Sequence, residues 1–125
     1  VKQALNFDQL VEEACEQLPD WVVELLEEAG IAIYVREEPP PPIKEKFGCG
    51  VRGLFTGRNY SSTQSNRPTT QPTRIEIYRR PILRQYTGPE KEREEKLKEQ
   101  VRKTIVHEVG HYLGMSEEEI RQRGY

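Results

Sequence analysis

The chain has 125 residues, of which 34% are hydrophobic and 32% charged, a net charge of −2 and a mean hydropathy of −0.83. That suits a single domain over residues 1–125, with a thin core under a charged surface, and it excludes a membrane span, because no apolar run of about 18 residues occurs. Residues 1–6 lack the basic stretch and apolar core of a secretory leader, so a cytoplasmic protein, or one whose leader has been removed, is expected. Cys15 and Cys49 form no CxxC pair and are too few for a disulfide framework, which leaves them as free thiols. The charge is polarised along the chain: residues 1–43 carry 2 Lys/Arg against 10 Asp/Glu, and residues 44–86 carry 9 against 2. No aromatic-basic stacking motif or recognition helix accompanies the basic stretch. The expectation is therefore acidic helices lying beside a basic sheet, with no nucleic-acid partner.

Asn6 is placed to cap a first helix, with Gln9 three residues on. Phe7, Leu10, Val11, Ala14 and Leu18 recur at helical spacing, and Cys15 borders that stripe. Pro19 breaks the pattern. Asp20 and Trp21 restart it with Val22, Leu25 and Leu26, and Gly30 supplies a left-handed stop. Residues 31–35 alternate as a first strand. The proline run 39–42 predicts an extended spacer. Residues 51–55 form a second strand candidate, ended by Thr56-Gly57. Residues 58–73 contain almost nothing that can be buried and read as a long loop, a candidate flap. Arg74–Tyr78 alternates cleanly and predicts a third strand with one face wet.

The last third is helical. Thr87 or Gly88 caps a long helix with Pro89 at its first position, and Glu92/Lys96 and Glu94/Lys98 are spaced as surface pairs. Leu97, Val101 and Ile105 form its buried stripe. From residue 104 on, Ile105, Val106, Val109, Tyr112 and Leu113 wrap most of the circumference, so the helix enters the core as it nears Gly114. Ser116 then caps a short final helix, with Glu119 completing a capping box and Ile120 as apolar anchor. The layout predicts a small α+β domain: a three-stranded sheet, N-terminal helices, one long helix and a short C-terminal helix.

Both histidines of the protein fall in His107-Glu108-Val109-Gly110-His111. Residues four apart on a helix stack on one face, so two imidazoles can converge on one ion at roughly 2.0–2.1 Å. Glu108 is rotated about 100° from His107 and can reach an attacking water without entering the coordination sphere. This is the physical content of HExxH, in which the glutamate is a general base. Gly114 turns the chain back three residues after His111, and Glu117 comes next as a donor, giving HExxHxxGxxE. Glu117 is the first choice of third ligand. Glu118 and Asp20 stay open as alternatives, because acids at the start of a helix are favoured by its dipole alone.

With these residues in view, the chain resembles the minimal zincin-like metallopeptidases of bacteria. The resemblance is carried by 7–19 (Phe-x-x-Leu-Val-x-x-Ala-x-x-x-Leu-Pro), 53–57 (Gly-Leu-Phe-Thr-Gly), 74–78 and, most specifically, 101–114. It implies a zincin core whose sheet edge borders the cleft, with His107 and His111 as metal ligands and Glu108 as catalytic base. The family pattern has aspartate where this chain has Glu117. A metzincin proper is not implied, since Met115, the single methionine, precedes Glu117 instead of coming after it. The expected function is a zinc-dependent peptidase that hydrolyses a peptide or protein substrate with a zinc-activated water. The rival is a non-catalytic, metal-stabilised interaction module. Tyr112, Tyr78 and Arg74 are candidate oxyanion stabilisers.

Overall fold

Local signals set the ends of most helices. The Asn6 side chain accepts a 3.1 Å hydrogen bond from the Gln9 N–H, starting α1 (Phe7–Glu16), which buries Phe7, Leu10, Val11 and Ala14. Pro19, extended at ψ 145°, precedes α2 (Asp20–Ala29). Gly30 at φ 66° ends α2, with the N–H of Ile31 returning 2.9 Å to the carbonyl of Leu26. Left-handed backbone of this kind is where glycine carries no steric penalty. The computed structural model describes residues 5–48, 50–57 and 73–125, so Cys49 and the candidate flap, apart from its last residue, lie outside the described part.

Strands β1 (Ala32–Arg36), β2 (Gly53–Thr56) and β3 (Arg74–Tyr78) form a mixed sheet in the order β1-β3-β2. β3 runs parallel to β1, with Ile33 opposite Ile75, and antiparallel to β2, with Phe55 opposite Ile75. Its central place corrects the expectation of one wet face. Ile75 and Ile77 enter the helix-packed core, and on the other face Glu76 and Tyr78 are buried as well. Glu76 is tolerated there because its carboxylate accepts from Arg74 Nε at 2.9 Å and from the Tyr78 hydroxyl at 3.0 Å.

Two further expectations are corrected. The proline run is not extended throughout: Pro40 is the last extended residue, and Pro41 and Pro42 open helix α3 (Pro41–Phe47). A proline in the first turn forfeits nothing, since its missing N–H would have no helical partner. The segment after β3, which the sequence pattern assigned to no element, forms α4 (Arg79–Gln85) and buries Pro81 and Ile82.

Pro89 is extended at ψ 145° and precedes a 3-10 turn, Glu90–Glu92, so it does not occupy the first helical position. Helix α5 (Arg93–Tyr112) continues from that turn. Leu97, Val101, Ile105 and Val109 are fully buried along it. Lys98 lies 3.7 Å from Glu94, but its nearest carboxylate is Glu13 of α1, at 2.7 Å, so it belongs to the α1–α5 seam more than to the surface. Lys96 pairs with Glu99 at 3.8 Å. α6 (Glu117–Gln122) starts at Ser116, whose hydroxyl and the Glu119 carboxylate form the reciprocal capping box. Among the described residues no helix is long and apolar enough to cross a membrane.

Candidate metal and active site

The site is built by the end of α5 and the turn behind it. Gly114, at φ 87°, reverses the chain. The N–H of Gly114 reaches the His111 carbonyl at 2.9 Å and that of Met115 the Gly110 carbonyl at 2.9 Å. These are the bonds that close a helix on a left-handed glycine. Gly110 then decides how near α6 can come. A Cβ there would stand 2.8 Å from Cγ1 and 2.9 Å from Cδ1 of Ile120, so the bare glycine lets the buried Ile120 seat against α5. Glu117 lies one turn before Ile120 and is carried with it onto the histidines.

The imidazoles of His107 and His111 have ring centroids 5.0 Å apart at an interplanar angle of 71°. Glu117 lies between their inner nitrogens. Its Oε1 is 2.7 Å from Nε2 of His111 and its Oε2 is 3.1 Å from Nε2 of His107. His107 Nδ1, on the far side of the ring, is 3.3 Å from the main-chain oxygen of Tyr125. Nε2–H of His107 can donate to Glu117, whereas the tautomer protonated at Nδ1 can donate to Tyr125 and would leave the Nε2 lone pair for a metal. Partial burial acts to raise the Glu117 carboxyl, but its hydrogen bonds to His107 and His111 outweigh that and hold it below the ordinary range.

Glu108 points differently. It is 7% exposed, and its Oε1 accepts a 2.9 Å hydrogen bond from the backbone N–H of Phe55 in β2. Burial pushes its carboxyl above the ordinary range, against the pull of His111, the Phe55 N–H and His107. Among the described residues, His107, Glu108 and His111 form a group able to hold a metal, with one donor atom each, all within 4.8 Å of one another. Among the described residues neither Glu118 nor Asp20 forms a hydrogen bond or ion pair with either imidazole, whose polar partners are Glu117 and Tyr125. The donor types, imidazole nitrogen and carboxylate oxygen, are those a zinc ion takes.

The three oxyanion candidates are engaged elsewhere. Tyr78 and Arg74 are tied to Glu76, and Tyr112 meets Phe55 edge to face at 5.6 Å. None lines the cleft beside the histidines, which has a volume of about 650 Å³ and is walled by β2, by the α5 face from Gln100 to His111 and by Phe47, Arg52 and Tyr125. Sequence reasoning did not find Phe55, Gly53 or Tyr125 as part of the site. A glycine inside a strand was the available signal, since it marks close backbone approach.

A mixed sheet backed by a helix with a His-Glu-x-x-His turn at its buried end is the zincin arrangement. The family model for zincin-like metallopeptidases matches residues 28–125, and the chain belongs to that family. A search of curated proteins gives no match. The matched span leaves out α1, although α1 packs on α5 and supplies four residues of the core.

Proposed function

We propose that this domain is a zinc-dependent peptidase, with His107, His111 and Glu117 as metal ligands and Glu108 as general base. The observation that carries the proposal is the division of labour between two carboxylates. Glu117 faces both Nε2 atoms, while Glu108 is held aside by a backbone N–H of the sheet edge. When bound, zinc supplies Lewis-acid chemistry, polarising the scissile carbonyl and lowering the pKa of water from about 15.7 toward about 7.

The chain's own groups do the rest. Glu108 Oε1 is anchored, so Oε2 takes a proton from the attacking water and returns it to the leaving amine nitrogen as the peptide bond breaks. The raised carboxyl pKa suits a group that must both accept and release that proton. The Tyr125 main-chain oxygen is placed to accept from Nδ1–H in the His107 tautomer that would ligate through Nε2. An extended peptide fits the open cleft along β2. A reducing, cytoplasmic working place accords with the free thiol of Cys15.

The rival reading, a metal-stabilised interaction module, draws on the proximity of Glu108 to both histidines. Coordination by Glu108 would close the site with four protein donors. One experiment separates the two. In Glu108→Gln, zinc affinity should stay within about threefold and peptide cleavage should fall by about 10²–10⁴. Loss of zinc in that variant would support the module, and wild-type protein that stays metal-free in stoichiometric zinc would end both readings.

A further inference from the structure

The anchoring of Glu108 depends on how closely the sheet edge approaches α5, and one pair of residues governs that approach. The Tyr78 N–H donates to the Arg52 carbonyl at 2.9 Å. In an antiparallel ladder the peptide groups then alternate, so Leu54 and Thr56 turn theirs toward β3 while Gly53 and Phe55 turn theirs to the free edge. The Phe55 N–H therefore has no partner in the ladder, and Glu108 Oε1 takes it at 2.9 Å. On the same strand face two residues earlier, Gly53 meets Thr104. A Cβ on Gly53 would stand 2.6 Å from Thr104 Cγ2 and 3.0 Å from the Glu76 carbonyl oxygen. The Thr104 hydroxyl donates 2.8 Å to the Gln100 carbonyl, which fixes its rotamer and keeps the methyl turned to the strand.

These two contacts are rungs of one ladder. Gly53 to Phe55 is two strand residues, about 6.7 Å, and Thr104 to Glu108 is four helical residues, about 6 Å. Strand and helix advance together, so the spacing at the first rung sets the spacing at the second.

We infer that Gly53 and Thr104 are positioning residues: the glycine-to-methyl contact sets the distance between β2 and α5 at which the Phe55 N–H holds the Glu108 carboxylate. The inference rests on the reading of Glu108 as the base. Its consequence for the reaction is that one carboxylate oxygen is fixed by a rigid backbone donor while the other stays free for proton transfer.

The test is amide hydrogen exchange, read residue by residue by NMR on metal-free protein, so that its outcome does not depend on hydrolysis or on zinc. The Phe55 amide should exchange at least tenfold more slowly in wild type than in Glu108→Ala. Gly53→Ala should lose the same protection, with the Leu54 and Thr56 amides unchanged, and Gly53→Ala/Thr104→Ser, which deletes the opposing methyl and keeps the hydroxyl, should recover at least threefold of it, the 3.0 Å approach to the Glu76 carbonyl being the crowding that remains. Zinc affinity of Gly53→Ala should stay within about threefold of wild type, since none of the proposed ligands moves. Unchanged Phe55 protection in Gly53→Ala overturns the inference. So does a loss that spreads to Leu54 and Thr56 and is not restored by Thr104→Ser. If Gly53→Ala alone fails to fold, the double variant must fold and protect Phe55, and its failure overturns the inference equally. Absence of peptidase activity with these amide results intact would instead refute the proposed function and leave the positioning of Glu108 standing.

Discussion

At the corner where β1 runs toward α3, Glu37 meets Arg79 at 3.0 Å and Arg80 at 3.4 Å, and Glu38 meets Arg84 at 2.9 Å as well as Lys44. At the α5–α6 junction, Glu108 and Glu117 face imidazole rings and a backbone N–H, and among the described residues neither pairs with a lysine or arginine. Lys44 and Arg84 hold the Glu38 carboxyl down to about 2. Burial pushes the Glu108 carboxyl the other way. The first cluster arrives with its charge already balanced by the chain. The second concentrates donors without a lysine or arginine beside them, as the proposed metal site requires and a structural ion-pair network does not.

That contrast can be broken from its strongest side first. His107→Ala or His111→Ala should weaken zinc roughly 1,000-fold, about 4 kcal/mol, which is one ligand's share of the ~10–16 kcal/mol of a zinc site. Competition against a chromophoric chelator measures it. Glu117→Gln should weaken zinc on the order of 100-fold, while Glu117→Asp retains binding and Glu118→Gln changes it by less than about threefold. Equal affinities for the three variants in the same titration would remove Glu117 from the ligand set. Gly110→Ala adds a methyl where Ile120 already sits. The overpacking costs about 1–3 kcal/mol and the better helix former returns about 1, so denaturant unfolding should show a net loss of about 1 kcal/mol. Zinc affinity should fall with it, because α6 carries Glu117 away from the rings.

The smallest effect belongs to the balanced cluster. The folded-state pKa of Glu38 is depressed, so its pairing contributes above the ordinary carboxylate range and is lost as pH falls toward about 2. Glu38→Gln should therefore lower stability slightly at pH 7 and by less at pH 2, where about half of the carboxyls are protonated even in the folded state. Urea unfolding at both pH values checks the sign, and zinc affinity should not respond.

What was legible in the sequence was what neighbours decide. The Asn6 and Ser116 caps, the Gly30 and Gly114 stops and the i, i+4 histidines each depend on a few adjacent residues. Pro41 and Pro42 misled because the same residue type suits an extended run and a helix's first turn, and only the helical stretch through Phe47 tells them apart. Glu76 misled because alternation reports side-chain polarity, whereas burial here depends on a central strand position and on Arg74 and Tyr78 satisfying the carboxylate. The Glu108–Phe55 bond left no local trace beyond the glycine at 53, since strand pairing and helix packing far along the chain create it.

The separation in chain length between the two halves of the site has a consequence for the order of folding. His107, His111 and Glu117 lie on one helix–turn–helix stretch, with His107 and Glu117 10 residues apart, whereas the Phe55–Glu108 bond spans 53 residues. Contacts of short range close early and those of long range late. On the proposed reading, a folding chain should thus be able to assemble the proposed ligand set before the sheet edge docks, and orient the proposed base only when tertiary structure is complete. The proposed hydrolytic competence would then be the last property this domain gains on folding and the first it loses on local unfolding.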